Sequence, residues 1–188
     1  MRLFIAVNFN ENIKNMLSDI IRKLRPHTRQ GSYTLTENLH LTLVFLGEVE
    51  PDRIDKVTRA MKEMIGTSFE LKLGGLGHFR RDGGDIYWIG VENNEILQDM
   101  QSQLAKLLIR AGFSIEERKF KPHLTIGRRI IFNNSFNEKE FSRTLPEMSM
   151  EVNHISLMKS ERINGRLTYT EIFSRHLDVS GGDDSDNK

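Results

Sequence analysis

Cysteine is absent from this 188-residue chain. Its absence excludes disulfides, thiolate nucleophiles and the common cysteine-containing zinc sites, and it agrees with a reducing compartment. No run approaches the roughly 18 consecutive apolar residues that a membrane helix needs, so the expectation is a chain without a membrane span, cytoplasmic by default. Strong charge of one sign is missing too, since 27 basic and 26 acidic side chains leave +1. The residues from Gly181 to Lys188 carry three Asp and one Lys, and the rest of the chain is too weakly positive to bind nucleic acid by bulk electrostatics. An anionic ligand must therefore be held by a local site. The chain also lacks a Gly-x-Ser-x-Gly nucleophile elbow, a P-loop and a dinucleotide fingerprint; Gly74-Gly75-Leu76-Gly77 has neither the spacing nor the following helix.

The opening residues carry too short an apolar run for a secretory signal, and Leu3 to Val7 reads as a first strand. Ile13, Leu17, Ile20, Ile21 and Leu24 form a helical stripe with Asn10 as cap. Pro26 to Glu37 is turn-rich and reads as a loop before a strand from Leu39 to Leu46. A second amphipathic helix starts at Pro51 and closes at Gly66. Phe69 to Leu73 and Ile86 to Val91 read as strands around a glycine-rich loop, Gly74 to Gly84. Ile96, Leu97, Met100, Leu104, Leu107 and Leu108 mark a third helix ending at Ala111-Gly112. A strand at His123 to Gly127, a short helix, and strands at Met150 to Met158 and Leu167 to His176 complete the body. The class is α+β, a single body over residues 1–179 followed by an acidic, disordered tail over 180–188.

One short internal repeat stands out. Asn38-Leu39-His40-Leu41-Thr42-Leu43-Val44 and Lys121-Pro122-His123-Leu124-Thr125-Ile126-Gly127 share His-Leu-Thr followed by an aliphatic residue, each in an expected strand. A duplicated half-domain explains the pair. Strand alternation puts His40 and Thr42 on one face and Leu41, Leu43 and Phe45 on the other; His123 and Thr125 share a face in the same way. If the halves face each other about a pseudo-twofold axis, two imidazoles and two hydroxyls converge. One neutral imidazole can take a proton from water while the other, protonated, gives one to a leaving oxygen. With threonine donors for phosphate oxygens, the set describes phosphodiester hydrolysis without a metal. The nearly identical motifs do not say which histidine is acid and which is base. A metal site is the weaker reading, because only Glu37 and Glu48 lie near either histidine. His154 and His176 fall in expected strands, and His27 and His78 in expected loops.

With these motifs the chain resembles the two-histidine (2H) phosphoesterase superfamily, and specifically the RNA 2′,3′-cyclic phosphodiesterases also called 2′-5′ RNA ligases. The resemblance extends to Arg2-Leu-Phe-Ile-Ala-Val-Asn-Phe, to Phe45-Leu-Gly47, to Tyr87-Trp88-Ile-Gly-Val91, to Phe120 and Arg128 around the second motif, and to Leu157-Met-Lys-Ser160 with Gly165 and Tyr169. It implies a bilobal fold of two pseudo-symmetric antiparallel sheets with outer helices around a cleft. It further implies His40 as proton donor to the leaving ribose 3′ oxygen, His123 as proton acceptor from water, and Thr42 and Thr125 as phosphate ligands. The implied substrate is an RNA with a 2′,3′-cyclic phosphate end, tRNA-derived ends included, or a nucleotide. The implied product is a 2′-phosphate, with no metal or cofactor and with reverse 2′-5′ ligation as a secondary activity. The alternatives are small cyclic phosphates, 2′-5′ oligonucleotides, or a non-catalytic nucleotide-binding module. A monomer is expected.

Arg128 matches an arginine often found after the second motif in that family, and a guanidinium suits phosphate. Strict alternation points it away from the His123 face, so it reaches the pocket only if the strand ends or bulges at Gly127. Parity places Phe45 in the core. Trp88 reads as core, with cleft wall as the alternative. Arg80, Arg81, Arg118, Lys119 and Lys121 are either a path for RNA or a solvated face.

Overall fold

A computed structural model describes residues 1–116 and 119–179; the tail from 180 onward and Arg118 lie outside the described residues. The strands are β1 (Arg2–Asn8), β2 (Thr28–Tyr33), β3 (His40–Glu48), β4 (Phe69–Phe79), β5 (Asp85–Val91), β6 (His123–Phe132), β7 (Met148–Val152), β8 (His154–Ile163) and β9 (Arg166–His176). The helices are α1 (Glu11–Leu24), α2 (Ile54–Glu63), α3 (Glu95–Arg110) and α4 (Glu138–Arg143). Two sheets form, ordered β3-β1-β8-β9 and β2-β6-β5-β4-β7, and their ladders are antiparallel. No helix among the described residues is long and apolar enough to cross a membrane.

α1 and α3 begin where an asparagine side chain can hold a first-turn amide. Asn10 accepts from Ile13 N and Asn94 from Leu97 N, each at 2.9 Å. Ile13, Leu17, Ile20, Ile21 and Leu24 of α1, and Leu97, Met100, Leu104 and Leu108 of α3, turn inward onto one core shared with both sheets. Burying each of these side chains contributes about 1.5–3 kcal/mol. β1 is buried on both faces. Leu3, Ile5 and Val7 enter the main core, while Phe4 and Ala6 join Met158 in a small second cluster beneath Tyr169.

The sheets correspond strand for strand. Outward from the strand bearing each motif, β3-β1-β8-β9 matches β6-β5-β4-β7, and α1 and α3 occupy equivalent places in the chain, after β1 and after β5. β2 is added beyond β6. The lobes are not contiguous in the chain, however, because β2 of the first half pairs in the second sheet and β8–β9 of the second half pair in the first.

Several elements differ from expectation. The loop over Pro26 to Glu37 contains β2, a polar edge strand whose backbone pairs with β6 while its residues stay largely exposed, so it carries no apolar alternation. β4 continues through the glycine-rich stretch to Phe79. Gly77 is needed there, since a Cβ would stand 2.3 Å from the Trp88 ring. The single strand expected over Met150 to Met158 is two strands in different sheets, divided at Asn153. His78, expected in a loop, lies in β4 with Nδ1 2.9 Å from Glu138 on α4. The β8–β9 turn uses Asn164 and Gly165, with φ of 50° and 80°, the backbone a two-residue hairpin turn requires.

Candidate active site

His40 opens β3 immediately after a short 3-10 turn, Thr36–Asn38. Its Nδ1 lies 2.7 Å from the Asn38 carbonyl oxygen and its Nε2 3.0 Å from Thr42 Oγ1. A carbonyl only accepts, so Nδ1 carries the proton and the neutral ring offers its lone pair at Nε2. His123 opens β6 in the same way, with Nδ1 2.7 Å from the Lys121 carbonyl oxygen. Both imidazoles and both threonines are half-buried, above the fully buried Leu41 and Leu124.

Alternation breaks at the same point after each motif. Asn8 pairs with His40 and Ala6 with Thr42, but Ile5 pairs with Val44, so Leu43 is an extra residue. Gly90 pairs with His123 and Trp88 with Thr125, but Tyr87 pairs with Gly127, so Ile126 is extra. Such bulges turn the strand and reset its parity. Leu43 and Val44 are both buried as a result, and Phe45 is 49% exposed with the Arg2 guanidinium 5.0 Å from its ring centre. The core position expected for Phe45 is therefore wrong.

A second irregularity lies between Gly127 and Ile130, where Arg129 has φ of 55°. Arg128 is exposed rather than buried with Ile126 and Ile130. Its charge disfavours the imidazolium of His40 and favours the phenolate of Tyr169, both in the other sheet. β3 and β6 pack against one another. Thr34, leading into β3, ties to β6 through its N–H to the Ile126 carbonyl (2.9 Å) and its hydroxyl to the Thr125 carbonyl (3.0 Å). The bulge at Ile126 thus turns Arg128 to the face of His123 and Thr125, which is the condition set for it.

Burial is the main influence on His40 and depresses its pKa; Arg128 adds to this, and the bond to Asn38 opposes it. Burial raises the Tyr169 phenol against the pull of Arg128 and Arg2. Aromatic rings flank both imidazoles. Phe4 and Tyr169 lie 4.8 and 5.1 Å from the His40 ring, Phe79 and Trp88 5.0 and 6.2 Å from that of His123. Trp88, opposite Thr125 and beside His123, stands outside the hydrophobic core, so the core reading is not met. Phe4 and Phe79 carried no signal in the sequence as site residues, because Phe4 lies in a continuous apolar run and Phe79 falls in a stretch that reads as a loop. Asn38 was missed as well. It is a buried polar residue whose carbonyl holds His40 while its amide donates to the Leu167 carbonyl at 2.8 Å. Arg80, Arg81, Lys119 and Lys121 are exposed. Among the described residues no group of three His, Cys, Asp or Glu converges as a metal site.

Two matched sheets, whose motif strands β3 and β6 each carry a His-x-Thr pair and pack against one another, define a two-histidine phosphoesterase-like domain. Residues 13–164 match the 2′-5′ RNA ligase superfamily, and the chain belongs to that family. It is 34% identical over 163 residues to the RNA 2′,3′-cyclic phosphodiesterase of Thermotoga maritima, covering 85% of this chain and 87% of that protein. The crystal structure of E. coli LigT in apo form superposes with a TM-score of 0.77 at 26% identity, covering 94% of this chain and 97% of that one. E. coli LigT complexed with 3′-AMP gives 0.76 at the same identity and coverage.

Proposed function

We propose that the protein hydrolyses 2′,3′-cyclic phosphate ends of RNA to 2′-phosphate ends, with no metal or nucleotide cofactor. The observation that carries this reading is the duplicated imidazole, each fixed by Nδ1 to a carbonyl and each beside a threonine hydroxyl position. The relatives named for the same reaction, and the nucleotide held by LigT, support it. Water attacks phosphorus opposite the 3′ oxygen. His123 Nε2 takes its proton, and protonated His40 gives the Nε2 proton to the leaving 3′ oxygen, so the 2′ phosphate bond survives. Thr42 and Thr125 donate to the non-bridging oxygens, and Arg128 offsets the charge that grows on them.

Burial and Arg128 keep His40 neutral in the empty cleft. An arriving phosphate anion counters Arg128 and favours the imidazolium, so the acid is charged when substrate is present. Turnover leaves His123 protonated and His40 neutral, and exchange with solvent resets the pair. A ribose 5′ hydroxyl in place of water takes the same steps in the same direction, opening the cyclic phosphate to a 2′-5′ linkage while the 3′ oxygen leaves as a hydroxyl. A monomeric, cytoplasmic enzyme acting on RNA ends is part of this proposal. The test is hydrolysis, in EDTA, of a short RNA ending in a 2′,3′-cyclic phosphate, with the product's phosphate position read by mass and nuclease sensitivity. Exclusive 3′-phosphate product, or no hydrolysis without divalent metal, contradicts the proposal.

A further inference from the structure

We infer that Gly31 and Gly84 are positioning residues for Arg128, acting through the backbone of Arg129; this rests on the reading of Arg128 as a phosphate-facing group. The extra residue Ile126 already turns Arg128 to the exposed face, and unbroken alternation from there would bury Arg129 and expose Ile130, whereas Arg129 is exposed and Ile130 buried. The strand avoids this by placing Arg129 at φ 55°, in the left-handed region that residues with a side chain rarely adopt. Only one other non-glycine residue among the described ones has positive φ, Asn164 at a hairpin tip, where such a turn is expected.

Neighbouring strands hold Arg129 there from both sides. Gly31 of β2 lies between residues paired with Arg128 and Ile131, and Gly84 immediately precedes Asp85, which pairs with Ile130. A Cβ at Gly31 would stand 2.6 Å from the Arg129 carbonyl oxygen, and one at Gly84 equally 2.6 Å from it. Both glycines have positive φ, 120° and 115°, which side chains rarely adopt. The three residues form a row across β2, β6 and the start of β5. Any side chain in either outer place pushes on the Arg129 carbonyl, and rotation of that peptide swings Arg128 out of the cleft. Neither glycine touches the imidazoles, so their effect on the reaction passes through Arg128.

The inference is tested with nucleoside 2′,3′-cyclic phosphate as substrate, in wild type, Gly84→Ala, Arg128→Ala and the double variant, with NMR titration of the His40 imidazole in each. Loss of a charged hydrogen-bond donor predicts about a tenfold or larger fall in kcat/KM for Arg128→Ala. Gly84→Ala should fall comparably in wild type and by less than twofold in the Arg128→Ala background, since the two act in series. The His40 midpoint should rise in both single variants, because both remove Arg128 from its neighbourhood. Full additivity, or a Gly84→Ala variant with unmoved His40 titration, overturns the inference. An Arg128→Ala variant with unchanged kinetics and titration instead overturns the reading of Arg128 itself. Should Gly84→Ala not fold, Arg129→Gly and Arg129→Val decide. Glycine keeps the left-handed backbone and should retain kcat/KM within about twofold, whereas β-branched valine should reproduce the Arg128→Ala pattern. A fully active Arg129→Val overturns the inference.

Discussion

His40 and His123 are anchored identically: each Nδ1 stands 2.7 Å from the carbonyl oxygen two residues earlier, Asn38 for one and Lys121 for the other. The match fixes both rings in one tautomer and makes Nε2 the nitrogen available for proton transfer. Chemical symmetry ends at the surroundings, because Arg128 lies on the His123 strand yet its charge disfavours the imidazolium of His40.

His40 should titrate below the ordinary histidine value of about 6.5, and Arg128→Ala should raise the midpoint by removing one of the lowering influences. Inorganic phosphate should raise it as well. The folded state thus favours neutral His40, and its contribution to stability, full above the ordinary value, declines as pH falls toward the folded midpoint. NMR titration of the imidazole checks the sign, and a midpoint above the ordinary value would contradict it.

Thr42→Val and Thr125→Val keep the side-chain shape and remove the hydroxyl. Each should lower kcat/KM by about 10- to 100-fold, the effect of losing a hydrogen bond to a charged group, with thermal stability little changed. Steady-state kinetics beside a melting curve separate the two effects.

Asn38→Ala deprives the Leu167 carbonyl of its donor in a buried setting, at a cost of about 1–3 kcal/mol. The same substitution loosens the turn whose carbonyl orients His40, so kcat should fall as well. Denaturant unfolding and kinetics on one preparation test both outcomes.

Phe45→Ser should change stability by no more than about 0.5 kcal/mol, since the ring is exposed. Leu43→Ala, two residues earlier and buried, should cost about 2–5 kcal/mol. Equal losses at the two positions would contradict the bulge after Thr42.

The paired motifs, α1, α3 and the strands bearing the histidines were legible because their apolar spacing and polar faces follow simple periods. What escaped was set by neighbours. β2 gains its structure from the β6 backbone and so leaves no pattern in Thr28 to Tyr33. Asn153 ends one strand and admits another without a proline or glycine to mark it. The bulges at Leu43 and Ile126 are invisible in the sequence, since each inserts an ordinary aliphatic residue. They reverse the parity argument for Phe45 while leaving His40 and Thr42 untouched. The second break had a weak signal, the requirement that a charged Arg129 not be buried between the exposed Arg128 and the buried Ile130.

The most direct test of paired-histidine catalysis is hydrolysis of an RNA 2′,3′-cyclic phosphate in EDTA by wild type, His40→Ala, His123→Ala and the double variant, each confirmed folded. The mechanism predicts full wild-type activity, losses of about 10² to 10⁴-fold in each single variant, and a double variant little worse than either, as expected of groups acting as a unit. Substantial activity retained by either folded single variant, or wild-type activity abolished by EDTA, would contradict it.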